Sequence, residues 1–134
     1  MTPAIAAVGI YAGIMGLVAI WLGYIVGGWR TKLKISIGDG GNSDMLRAMR
    51  GHANFAEYVP LALILMVCMA LAGAPAIAIH AMGIALTAGR ILHGLHFSKP
   101  NQPGWQRMAG AGLSQLVLLA GAVGAIGLSL AALL

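Results

Sequence analysis

The sequence predicts an all-α fold, an integral membrane bundle of four helices. Hydrophobic residues make up 60% of the 134 residues and charged residues only 8%, whereas a soluble domain carries about 25% charged residues. The apolar residues fall into four long runs, and a helix needs about 20 apolar residues to cross a bilayer. We therefore expect a single domain over residues 1–134, with four spans, short connections and no room for a separate soluble domain.

The first predicted helix covers residues 3–29, a run without any charge. Gly9, Gly13 and Gly16 lie in it at a spacing that lets another helix approach closely. The run is too long for the core of a signal peptide and has no positive charge before it, so we expect it to stay in the mature protein. Basic residues end it, and the glycine-rich segment 37–44 is typical of an irregular loop.

The other three predicted helices cover residues 45–72, 76–97 and 106–133. Ser43 or Asp44 is expected to cap the second helix, which begins with polar residues and then becomes wholly apolar. Between the third and fourth helices, two prolines in the connection interrupt the chain.

The basic residues predict the orientation in the membrane. Of the eight, seven lie at the first or third connection: Arg30, Lys32, Lys34, Arg47, Arg50, Lys99 and Arg107. The second connection has no basic residue. By the positive-inside rule, the first and third connections are cytoplasmic and both termini lie on the opposite side. The net charge of +5 is then explained by anionic headgroups, and no nucleic-acid partner is expected.

The first half of the second helix carries polar residues that are costly in a membrane. At about 100° per residue, Arg47, Arg50, Asn54 and Glu57 form one stripe, whereas His52 lies across the helix. One interpretation is an ion pair between Glu57 and an arginine, with nothing bound. The other is an anion site, which is favoured because the chain has only three acidic residues and arginine binds carboxylates in bidentate fashion.

The later helices carry fewer polar side chains. Arg90, His93 and Phe97 lie within about 60° of one another on the third helix, and Arg107 lies at the start of the fourth.

No carboxylate is placed to complete a metal site with the histidines, so no metal is expected. The single cysteine, Cys68, excludes an intramolecular disulfide. A nucleophilic triad and a pair of catalytic carboxylates are both absent.

The pattern RxxRxHxNxxExxxP, from Arg47 to Pro60, resembles the MAPEG family, the membrane-associated proteins of eicosanoid and glutathione metabolism. Arg90 in the third helix and Arg107 with Gln115 in the fourth support the resemblance, which covers essentially the whole chain. It implies a homotrimer that binds glutathione between subunits near the cytoplasmic face. We expect a bacterial-type member in the inner membrane.

The resemblance also implies a role for each matching residue. The residues expected to hold glutathione or frame its site are Arg30, Arg47, Arg50, His52, Asn54, Glu57, Arg90 and Gln115. Arg107 matches the arginine that stabilises the thiolate and is the predicted catalytic residue. Phe97 replaces a tyrosine of the eicosanoid enzymes, and Met108 and Ala111 replace a serine and a tyrosine, so prostaglandin synthase activity is not expected.

Two functions follow from the resemblance. The first is a glutathione-dependent membrane transferase or peroxidase acting on a lipophilic electrophile or lipid hydroperoxide, and Arg107 favours it. The second is a non-enzymatic lipid-binding or scaffold protein that uses the same pocket, which Phe97, Met108 and Ala111 favour. The expected partners are the lipid bilayer, glutathione as co-substrate, and a lipophilic small molecule or lipid.

Overall fold

A computed structural model describes residues 1–134 and contains four α-helices and no strand. Their bounds are α1 Pro3–Leu33, α2 Ser43–Leu71, α3 Ala76–Ser98 and α4 Gly104–Leu133. All four are long and apolar enough to cross a membrane. The predicted all-α, multi-pass membrane fold is confirmed.

The ends of α1 show why it is longer than the apolar run. Thr2 caps it by accepting a hydrogen bond from Ile5 N at 3.3 Å, and a proline occupies its first position. The helix continues through the basic residues to Leu33, because positive charge is favourable beside the carbonyl end of a helix. Lys34, in the left-handed region with φ 56°, ends it.

The cap of α2 differs from the expected one. Asn42, rather than Ser43 or Asp44, accepts hydrogen bonds through Oδ1 from Asp44 N and Met45 N, both at 3.0 Å. All three residue types are good caps, so the loop geometry decides which one is used. The helix then runs through Pro60 without a break and ends at Leu71.

The helices pack around the pair formed by α2 and α3. Helix α1 lies against both members of this pair, α4 lies against both from another side, and α1 and α4 do not contact each other. A side chain at Gly83 on α3 would overlap the ring of Tyr11 on α1, so glycine is required at this close approach. The core that results is rich in methionine and small residues, including Met15, Ala62 and Met66.

One face of α1 has no partner within the chain. Space is open around Gly9, Gly13 and Gly16, where an added Cβ would meet nothing within 4 Å. Large apolar side chains are exposed on every helix, as expected for surfaces that contact lipid. The close approach that these glycines permit is therefore not used by another helix of the same chain.

Candidate functional site

A cavity of about 290 Å³ lies between α2, α3 and α4, at the end of the bundle that carries the first and third connections. Two residues from each helix line it, and the two are four positions apart in every case: Arg50, Asn54, His93, Phe97, Arg107 and Ala111. Residues four apart lie on one helix face, one turn from each other. The three faces thus place two guanidinium groups around a space that no carboxylate lines.

The nearest carboxylate forms only a weak ion pair with the lining. Arg50 Nη1 lies 3.9 Å from Glu57 Oε1, and the two side chains are 57% and 52% exposed. Ion pairs of this geometry contribute little to stability when solvent reaches them. The ion pair expected from the stripe on α2 is therefore present, but it does not neutralise Arg50 by close contact.

Arg90 lies behind the cavity and does not line it. The side chain is buried, and it donates hydrogen bonds from Nη1 to Asn54 Oδ1 at 3.0 Å and from Nη2 to Gly110 O at 3.1 Å. Ser114 Oγ donates to the same carbonyl at 2.9 Å. Arg90 thus connects α3 to a lining residue of α2 and to the backbone of α4.

Arg47 points toward α3 and the connection that follows it. It donates hydrogen bonds to the carbonyl oxygen of His96 and, at 3.2 Å, to His96 Nε2. His96 Nδ1 lies 3.1 Å from Pro103 O, and because a carbonyl only accepts, the ring proton is on Nδ1. The guanidinium also lies 5.5 Å from the centre of the Phe97 ring, and that of Arg107 lies 5.9 Å from it.

The chain matches the sequence profile of the MAPEG family over residues 8–127. It belongs to the MAPEG family. It is also 37% identical over 84 residues to "Inner membrane protein YecN" of Escherichia coli strain K12, and equally to the protein of that name from strain O6:H1. The match covers 63% of this chain and 64% of each relative, less than two thirds of their length.

Three further residues that the resemblance assigns to the site, Arg30, His52 and Gln115, do not line the cavity. Arg30 donates hydrogen bonds to the carbonyl oxygens of Gly38 at 3.1 Å and Ile35 at 3.5 Å, and so holds the first part of the connection after α1 against the end of that helix. Gln115 Nε2 lies 3.5 Å from the hydroxyl of Tyr58 on α2. His52 is half-buried and is not part of the lining.

Of the nine residues that the resemblance assigns to the MAPEG site, the structure places Arg50, Asn54 and Arg107 around one space. The resemblance did not assign His93, although its position on a cationic face with Arg90 was visible in the sequence. His93 lies four residues before Phe97, as Arg107 lies four residues before Ala111. This shared spacing was the signal that could have identified His93 as a lining residue.

Proposed function

We propose that this MAPEG protein is a glutathione-dependent membrane transferase or peroxidase acting on a lipophilic electrophile or lipid hydroperoxide. One observation supports the proposal above all: the lining contains Arg50 and Arg107 but no carboxylate. Glutathione offers two carboxylates and an ionisable thiol, groups that guanidinium binds well. The cavity, at about 290 Å³, is at the lower end of the range for small-molecule sites.

In this proposal Arg107 activates the thiol. A cysteine thiol has a pKa of about 8.5, so only a few per cent is thiolate at pH 7. A guanidinium about 4 Å away at an effective dielectric of about 20 attracts a thiolate by roughly 4 kcal/mol before desolvation costs, enough to lower that pKa by one to three units. Arg107 lies in the first turn of α4, where the helix dipole adds positive potential.

The reaction then needs an electrophile from the bilayer. The thiol loses its proton to water, and the thiolate sulfur then attacks an electrophilic carbon of an apolar substrate such as an aryl halide. The carbon–sulfur bond forms as the carbon–halogen bond breaks, and halide leaves with that electron pair. Phe97 and Ala111 provide the apolar part of the cavity lining. Conjugation of glutathione to an apolar aromatic electrophile and glutathione-dependent reduction of a lipid hydroperoxide by purified protein test this function, and complete inactivity in both assays contradicts it.

The alternative function is a non-enzymatic lipid-binding or scaffold protein. It is favoured by Phe97 and Ala111, which place no hydroxyl in the cavity to contact a thiol or substrate. A protein that retains a lipid through purification and shows no conjugation would support this alternative over the transferase.

We also propose the inner membrane of a bacterium as the location, because both relatives are named as inner membrane proteins. The first and third connections would then face the cytoplasm, following the positive-inside rule. In that orientation the cavity would open toward the side where cells keep their reduced glutathione pool, which supports glutathione as the ligand.

The proposed assembly is a homotrimer. Arg50 and Glu57 are each more than half exposed, and charged groups on a membrane helix are unfavourable when lipid surrounds them. The open glycine face of α1 also permits a close helix contact between subunits. Chemical cross-linking in native membranes is expected to give a trimer as the largest product, and a ladder ending at the monomer or dimer would contradict this assembly.

Changing Glu57 to glutamine is expected to have little effect on the stability of the ligand-free protein. The ion pair with Arg50 is long and half exposed, so its loss should cost less than about 1 kcal/mol of unfolding free energy. Thermal unfolding in detergent measures this, and Arg50→Gln is the companion variant, expected to weaken glutathione binding. A large loss of stability in Glu57→Gln with intact binding would instead support the ion-pair interpretation.

A further inference from the structure

Arg90 is the one arginine or lysine whose side chain is buried, with 2% of its surface exposed. No carboxylate pairs with it, since the single ion pair of the protein joins Arg50 and Glu57. Its Nε has no hydrogen-bond partner. A buried charge of this kind is costly, and the hydrogen bonds it makes to Asn54 and Gly110 are therefore the features to explain.

The contact with Asn54 determines which way its amide faces. A guanidinium carries only donors, so the atom of Asn54 that lies 3.0 Å from Arg90 must be the oxygen. The amide cannot flip without placing two sets of N–H groups against each other. Since Asn54 also lines the cavity, its Nδ2 remains to donate a hydrogen bond there.

This orientation affects the character of the whole lining. The side chains of Arg50 and Arg107 have hydrogen-bond donors only, and Asn54, held by Arg90, is the third side chain that offers N–H donors to the cavity. His93, the fourth polar side chain of the lining, can donate from one ring nitrogen. Three of the four polar side chains of the lining thus offer the cavity donors alone, which favours ligand groups that accept hydrogen bonds, such as carboxylates.

We propose that Arg90 is a positioning residue that acts through Asn54 and makes the cavity selective for carboxylate-bearing ligands. The selectivity rests on the proposed function, because glutathione is the carboxylate-bearing ligand it concerns. The orientation of the Asn54 amide by Arg90 does not depend on the proposed function, because it can be measured in the ligand-free protein.

The first test is nuclear magnetic resonance of protein labelled with ¹⁵N only at asparagine. The chain has three asparagines, Asn42, Asn54 and Asn101, so the other two serve as internal controls. In Arg90→Gln the side-chain amide signals of Asn54 should shift and exchange faster with water, while Arg90→Lys should partly restore them. Unchanged Asn54 signals in Arg90→Gln would overturn the positioning role.

The second test keeps Arg90 and changes Asn54 to aspartate, a replacement of nearly the same shape. One carboxylate oxygen then pairs with Arg90, and the other presents an acceptor to the cavity in place of a donor. Calorimetry should show glutathione affinity reduced about 10- to 100-fold. The reduction should be smaller for glutathione diethyl ester, whose ester carbonyls accept hydrogen bonds but carry no negative charge for the new carboxylate to repel.

The outcomes of the two tests separate the claims. Equal losses for glutathione and its diester in Asn54→Asp would overturn the selectivity. A wild-type protein that binds neither compound would contradict both the proposed function and the selectivity, while the ligand-free resonance experiment would still decide whether Arg90 orients Asn54.

Discussion

Replacing Arg107 by alanine should lower the rate of glutathione conjugation at pH 7 about 10- to 100-fold, because the bound thiol returns toward its ordinary pKa of about 8.5. The wild-type rate should level off at a pH below that value, where the thiol is already ionised. The variant rate should instead rise by about tenfold per pH unit until the thiol ionises by itself. Steady-state rates over a range of pH measure both effects.

Two controls accompany the Arg107 variant. Arg107→Lys keeps the positive charge and should retain more activity than alanine, although it loses the planar fork. Lys99→Ala removes a cation from the same connection that does not line the cavity, and it should leave the pH profile unchanged. The same pH profile for wild type and Arg107→Ala would show that Arg107 does not activate the thiol.

Replacing Gly110 by alanine should destabilise the protein by about 3 kcal/mol or more, at or above the upper end of the usual cost of overpacking. An added Cβ would lie 2.6 Å from Gly89 O, 2.7 Å from His93 N and 2.8 Å from His93 Cβ. Two of these atoms belong to the backbone of α3 and cannot move aside as a flexible side chain would. The helices must separate, which moves Arg107 and Ala111 away from His93 and Phe97.

The matched control is Gly112→Ala, two residues further along α4. A Cβ at Gly112 meets nothing within 4 Å, so the midpoint of thermal unfolding should stay the same or rise slightly. Comparing the two unfolding midpoints in detergent separates the close contact from the general effect of removing a glycine from a helix. If the two variants unfold at the same temperature, the close packing of α3 on α4 at Gly110 is not as described.

The sequence was sufficient to predict the four helices, because apolar runs long enough to span a bilayer are a strong signal. The ends were less predictable. Helix α1 continues past its last apolar residues because Arg30 and Lys32 suit a helix C-terminus. At the start of α2, three neighbouring residues were all suitable caps, and only the loop conformation shows that Asn42 is used.

The candidate site was harder to predict, because arginine side chains are long and can turn in several directions. Helical spacing placed Arg47 and Arg50 on one stripe, yet Arg47 contacts His96 while Arg50 lines the cavity. Arg90 was expected to hold glutathione or frame its site, and in the structure it contacts the lining residue Asn54 without itself lining the cavity. The packing of α3 and α4 against α2 decides which side chains meet in the cavity. The spacing of residues within one helix does not predict that packing.

The central claim is that the cavity binds glutathione and ionises its thiol. The most direct test is ultraviolet difference spectroscopy of purified wild-type protein as glutathione is added at neutral pH. We predict that the absorbance band of a thiolate appears and saturates as the site fills. Saturable binding of glutathione without that band would contradict the claim.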